Sequence, residues 1–115
     1  MARKTKQLEL LTPEQTANLE LERDFQRRVE SYARLEGWRV YSIPDSRRVS
    51  LKGYPDLTMW RDGELIFAEL KREKGRVSPE QILVLDELRE IPCAEVYTWR
   101  PSDFDFIMER LRRKR

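Results

Sequence analysis

The pair Asp62-Gly63 constrains this chain more than any other short stretch. It sits between two apolar runs and is a turn signal for a two-residue hairpin. Such a turn fixes the pairing of its strands. Opposed residue numbers sum to 125, so Asp56 faces Glu69 across twelve intervening residues. A four-residue loop over Arg61 to Glu64 has the same centre and the same register. Directly opposed residues on antiparallel strands have Cβ atoms roughly 4.5–5.5 Å apart. Side chains alternate with period two, so Lys71 shares the face of Glu69. Two carboxylates and an ammonium are therefore expected to converge at the end of the hairpin away from the turn. Thr58, Trp60, Leu65 and Phe67 accompany Asp56 on one side; Leu57, Met59, Ile66 and Ala68 occupy the other. A hairpin apolar on both sides is expected at the centre of a sheet covered by helices on both faces. Carboxylates are seldom buried there without a partner or a metal.

The remaining elements follow in order. Residues 1–11 show no period and read as a flexible basic arm. Thr12-Pro13-Glu14-Gln15 is a helix start, with Thr as N-cap, Pro at the first helical position and Gln three residues beyond the cap. The helix is expected to reach about Glu36, burying Leu21, Phe25, Val29, Tyr32 and Ala33, with Gly37 just past its end. Glu22 lies beside that stripe, placed either to reach toward the sheet or to face solvent. Trp38 to Ile43 reads as a first strand, and 44–54 as a loop. After the hairpin comes a charged loop over 71–77. Ser78-Pro79-Glu80-Gln81 repeats the helix-start pattern and opens a helix through Ile82, Leu85 and Leu88 to about Glu90. Glu95 to Trp99 reads as a fourth strand. A last helix is expected from Ser102, turning Phe104, Ile107, Met108 and Leu111 inward. The order is α-β-β-β-α-β-α, and 115 residues make one domain.

Composition removes several kinds of chemistry. The chain has no His, which excludes His-based triads and most zinc sites. Its one cysteine, Cys93, has no internal disulfide partner and fits a reducing cytoplasm. No apolar run approaches the ~18–20 residues of a membrane span, and no secretory signal is expected. Charged residues make up 38%, but eleven aromatics and clear apolar periodicity indicate a folded domain. The net charge of +2 is uneven. Three positive charges lie within residues 1–6 and five within 110–115, and neither segment holds an acid. Removing those eight leaves 15 basic against 21 acidic residues, a balance of −6. Basic ends on an acidic body suit a polyanionic partner, or simply solubility.

Two acids and a lysine without histidine suit a hard cation. Mg²⁺ and Mn²⁺ prefer oxygen ligands, commonly carboxylates with water and substrate phosphate. Asp56 and Glu69 are the candidate ligands, and the Leu70 backbone carbonyl between Glu69 and Lys71 is a plausible third. Lys71 is placed to orient or deprotonate an attacking water. Arg47, Arg48 and Lys52 precede the cluster and Arg72, Lys74 and Arg76 follow it, a basic rim for a phosphate backbone. The plain alternative is a salt bridge between Lys71 and Glu69, with Asp56 capping a turn after Pro55.

Gly53-Tyr54-Pro55-Asp56-Leu57, Glu69-Leu70-Lys71 and Ser78-Pro79-Glu80-Gln81, taken in this order, resemble the VRR-NUC domain of the PD-(D/E)XK nuclease superfamily. Glu22-Arg23-Asp24-Phe25-Gln26 with Val29 and Gly37-Trp38 resembles that domain's opening motif. Asp45-Ser46-Arg47 and Val96 to Asp103 resemble its small stand-alone phage and prophage members. The match runs from about Glu22 to Leu111, giving a nuclease domain over 12–111 and a basic tail over 112–115. Ser42 departs from the pattern, standing where many relatives have His. The resemblance implies a restriction-endonuclease-like α/β core with a mixed four-stranded sheet flanked by helices. It implies an Mg²⁺- or Mn²⁺-dependent endonuclease leaving a 5′-phosphate and a 3′-hydroxyl. Glu22, Asp56, Glu69 and the Leu70 carbonyl would hold metal, Lys71 would position water, and Gln81 would support the site. It also implies a homodimer acting on branched DNA such as four-way junctions. Two readings stand beside it: a nuclease of linear duplex, and a non-catalytic nucleic-acid-binding protein on a nuclease fold. RNA remains an open substrate.

Overall fold

The computed structural model describes residues 12–43 and 49–114. Helix α1 (Pro13–Leu35) leads into strand β1 (Arg39–Ser42). The hairpin β2 (Leu57–Arg61) and β3 (Glu64–Leu70) follows, then α2 (Pro79–Arg89), β4 (Ala94–Trp99) and α3 (Phe104–Leu111). This is the expected α-β-β-β-α-β-α order. The arm over 1–11 and the loop residues Arg47 and Arg48 lie outside the described residues.

Local chemistry sets the boundaries. Thr12 and Gln15 close a capping box at the start of α1, with exchanged bonds of 2.9 and 3.0 Å. Ser78 and Gln81 do the same for α2, at 3.2 and 2.8 Å. Each box satisfies two amides that a helix start leaves unpaired. Helix α1 ends as expected at Gly37, where Gly37 N donates to Arg34 O and Trp38 N to Ala33 O, both at 3.0 Å. The last helix starts later than Ser102, because Pro101–Asp103 forms a 3₁₀ turn ahead of Phe104.

The sheet is ordered β1-β2-β3-β4, with the first three strands antiparallel and β4 parallel to β3. The hairpin register is the expected one: Leu57 faces Ala68, Met59 faces Ile66 and Arg61 faces Glu64. Asp62 and Gly63 both have positive φ, 48° and 83°, which is the turn geometry whose twist matches paired strands.

One sheet face carries the main core. Phe25, Val29 and Ala33 of α1 and Ile107 and Leu111 of α3 pack there on Leu57, Met59, Ile66, Ala68, Leu70 and Trp99. Leu21, expected in that stripe, is exposed, and Tyr32 is partly buried. The other face is covered on one side only. Helix α2 packs beside β4 and buries Val84 and Leu85, while Ile82 is exposed. Beyond its reach Trp60 and Tyr41 are 47% and 53% exposed. The mixed four-stranded sheet is thus flanked by helices as expected, with full cover on one face and partial cover on the other. Asp56 and Glu69 lie on that partly covered face, at the end that α2 reaches.

Candidate active site

Glu69 stands last but one in β3, in a run of five consecutive buried residues. It is only 1% exposed. Burying a carboxylate is costly without compensation, and its neighbours supply part of it. One oxygen, Oε2, accepts from Gln81 Nε2 at 2.8 Å and pairs with Lys71 Nζ at 3.2 Å. The other, Oε1, is buried with no hydrogen-bond partner among the described residues.

Asp56 immediately precedes β2 and continues the hairpin register, so it meets Glu69 as expected. Its Oδ2 accepts from Leu70 N at 2.8 Å. Desolvation raises the carboxyl of Asp56, opposed by the Leu70 amide and then by Lys71. Glu69 is pushed further, to about 7, first by burial and then by the charge of Asp56 beside it. Two carboxylates forced together in a dry place cannot both ionise cheaply. The pair therefore favours holding a proton near neutral pH.

Gln81 serves two elements at once. Its carbonyl oxygen closes the α2 capping box and its amide nitrogen holds Glu69. The helix start is legible in sequence; the contact with Glu69 is not. Gly53 fixes where that helix start lies. Its φ is +94°, and a Cβ added there would come within 2.9 Å of Gln81 N and closer still to Glu80 O. Only a glycine allows this approach. Lys52 reinforces it through a 3.3 Å ion pair with Glu80. Tyr54 supports the neighbouring backbone, bonding Thr58 Oγ1 at 2.9 Å with its ring edge on Phe67.

The candidate residues divide clearly. Asp56, Glu69, Lys71 and Gln81 come together. Glu22, half-buried on α1, makes no third with Asp56 and Glu69: among the described residues no group of three His, Cys, Asp or Glu side chains is close enough to hold an ion. Arg72, Lys74 and Arg76 follow Lys71 on one loop, with Lys74 and Arg76 exposed. Sequence reading misses Gly53, whose role rests on a close approach that no spacing reveals.

The oxygen donors fit a hard divalent ion. The pair has a buried, unpartnered oxygen on Glu69, a raised carboxyl on each side, and no sulfur or imidazole nearby to favour a softer metal.

Comparison with known proteins places these residues in a family. The family model for the VRR-NUC domain matches residues 39–97, just over half of the chain. That span runs from β1 into β4 and includes Asp56, Glu69, Lys71 and Gln81. A solved structure described as a VRR-NUC domain is similar in fold, with a TM-score of 0.53 and 24% identity. The alignment covers 71% of this chain and 91% of that one. No curated protein matches. The chain belongs to the VRR-NUC domain family and has its nuclease fold.

Proposed function

We propose that this chain is a divalent-metal-dependent DNA endonuclease, with Asp56 and Glu69 as its central ligands. The observation that carries this reading is Glu69 Oε1, buried beside a second carboxylate and without a hydrogen-bond partner among the described residues. A purely structural salt bridge to Lys71 would use Glu69 without leaving an oxygen orphaned. The Leu70 carbonyl joins the set: Leu70 N–H points to Asp56, and in an extended strand a residue's N–H and C=O project to the same edge. Glu22, which does not reach the pair from α1, would join the set only through water. A bound Mg²⁺ or Mn²⁺ would supply Lewis-acid polarisation of a phosphoryl oxygen and a lowered pKa for water.

The chain's own groups do the rest. Gln81 and Lys71 both hold Glu69 Oε2, which fixes the carboxylate and leaves Oε1 free. The Leu70 amide fixes Asp56 in the same way. Lys71, paired with Glu69 and 17% exposed at its side chain, would orient the attacking water. Arg72, Lys74, Arg76 and Lys52, with Arg47 and Arg48, would bind the phosphate backbone by charge. Substrate shape is the finest part of the proposal: branched DNA such as a four-way junction, cut by a homodimer with paired sites, supported by the resemblance to small relatives.

The test is cleavage of a labelled four-way junction, flap, linear duplex and single strand in Mg²⁺, Mn²⁺ or EDTA. Wild-type protein should cut in either metal and not in EDTA, and Asp56→Ala and Lys71→Ala should be inactive. Cleavage that survives either substitution, or persists in EDTA, sinks the mechanism.

A further inference from the structure

The segment 71–78 joins the lysine of the site to the cap of α2 and contains neither helix nor strand. Arg72, Lys74 and Arg76 crowd into it, so their mutual repulsion favours an open, shifting loop. Two fastenings oppose that tendency. Arg100 Nη1 donates to three carbonyls of the loop: Arg72 O at 2.8 Å, Glu73 O at 3.1 Å and Gly75 O at 2.8 Å. In the opposite direction, the Glu73 carboxylate accepts from Ser102 N at 2.5 Å and from Ser102 Oγ at 3.0 Å. Ser102 lies in the 3₁₀ turn before α3, where amides lack partners and negative charge is favoured. Asp103 Oδ2 in turn accepts from the backbone N of Arg100 at 2.8 Å, fixing the corner from which the guanidinium reaches.

The corner also holds the start of the loop. Lys71 N donates to Trp99 O at 2.9 Å, one residue before Arg100. Carbonyls 72, 73 and 75 are turned inward onto one cation, while Lys74 and Arg76 are exposed. Among the described residues none of Arg72, Lys74 and Arg76 is spent in an ion pair. Arg100 thus spends its charge on the backbone, and the loop's own cations stay available.

We propose that Arg100 and Glu73 form a latch that holds loop 71–78 in the shape that receives a nucleic-acid backbone, with Arg100 as a positioning residue. The inference rests on the nuclease reading for the identity of the polyanion, and on the hydrogen bonds alone for the latch. A loop ordered beforehand loses less conformational freedom on binding, so the latch acts on affinity rather than on the chemical step.

The loop carries its own reporter, because trypsin cleaves after Arg72, Lys74 and Arg76. Full-length wild-type, Arg100→Ala, Arg100→Lys and Glu73→Gln proteins are compared at matched fractions folded. Nicking within the loop should accelerate in Arg100→Ala and Glu73→Gln. Arg100→Lys should recover most of the protection, since an ammonium offers three donors to three carbonyls. Binding of a labelled DNA duplex in EDTA should weaken about tenfold in Arg100→Ala, with the salt slope unchanged because Arg100 itself meets no phosphate. With Mg²⁺, KM should rise while kcat stays within about twofold. Unchanged nicking overturns the latch, as does an Arg100→Lys protein as loose as Arg100→Ala. Faster nicking with unchanged affinity overturns its role in binding, and a shallower salt slope overturns its role as a positioning residue, since Arg100 would then meet phosphate itself. A wild-type protein that binds no DNA defeats the nuclease reading, and the nicking comparison still decides the latch.

Discussion

The two ends of the central hairpin both bury charge, and they treat it in opposite ways. At the turn end, Arg61 is 6% exposed and its Nη1 donates to Glu36 O at 2.8 Å and Leu111 O at 2.9 Å. These carbonyls lie at the C-terminal ends of α1 and α3, where cations are favoured. The same guanidinium lies 4.3 Å from the centre of the Trp38 ring, and Trp38 Nε1 donates to Leu111 O at 2.9 Å. Arg110 pairs with Glu64 at 2.7 Å and also with Glu95, holding both carboxyls below their usual range. At the open end, Asp56 and Glu69 are raised and one oxygen has no partner among the described residues. Charges that hold a fold together are matched until none is left over. The charges at the open end are left short.

That contrast is broken most severely by the lysine and the aspartate. Lys71→Ala or Asp56→Ala should lower cleavage by about 10³-fold or more, with a smaller change in the thermal midpoint than Arg61→Ala, since each holds one bond at a site of unfavourable buried charge. A loss of folding on the same scale would place these residues with the structural charges. Arg61→Ala should do the reverse, costing about 3–5 kcal/mol in urea denaturation by leaving two helix-terminal carbonyls and Glu64 short of a donor. A cost below about 1 kcal/mol would show that the knot is not what closes the turn end.

The two ends should also pull stability in opposite directions with pH. Glu69 is raised from 4.5 to about 7 in the folded state, so the folded protein binds the extra proton between those values. In EDTA, stability should therefore fall as pH rises from about 4.5 to 7, by on the order of a few kcal/mol. Glu69→Gln should abolish that fall. Glu64 and Glu95 are lowered, so their contribution is present above the ordinary carboxylate range and is lost as pH drops below it. A wild-type protein whose metal-free stability rises between pH 5 and 7 would contradict the raised pair. The smallest of these effects concerns orientation. Gln81→Ala should reduce cleavage about 10–100-fold by freeing Glu69 Oε2 and weakening the α2 cap, with metal affinity reduced in step.

Much of the active end is legible in sequence because it is local. Asp62-Gly63 specifies its own turn, and the turn specifies the register that brings Asp56 to Glu69. The capping boxes are equally local, so both helix starts fall where expected. What alternation does not reveal is which helix covers an apolar face, or how far it reaches. Trp60 therefore reads as covered in sequence and stands half exposed in the fold. Leu21 fails for the same reason, since an apolar position on a helix becomes core only where a neighbour meets it. Glu22 lies beside the stripe of α1, yet spacing does not fix how far a long side chain on that helix lies from the sheet end. The Arg100 contacts are invisible to pattern altogether, because carbonyls of residues 72, 73 and 75 leave no mark on residue type.

The central claim is that the Asp56–Glu69 pair takes a cation where it otherwise holds a proton. Calorimetric titration of the protein with Mg²⁺ or Mn²⁺, at pH 6, 7 and 8 in buffers of different ionisation enthalpy, measures both events together. We expect binding to release close to one proton at pH 6 and progressively less by pH 8, and to be lost in Glu69→Gln. Binding without proton release at pH 6, or binding undiminished in Glu69→Gln, would contradict it.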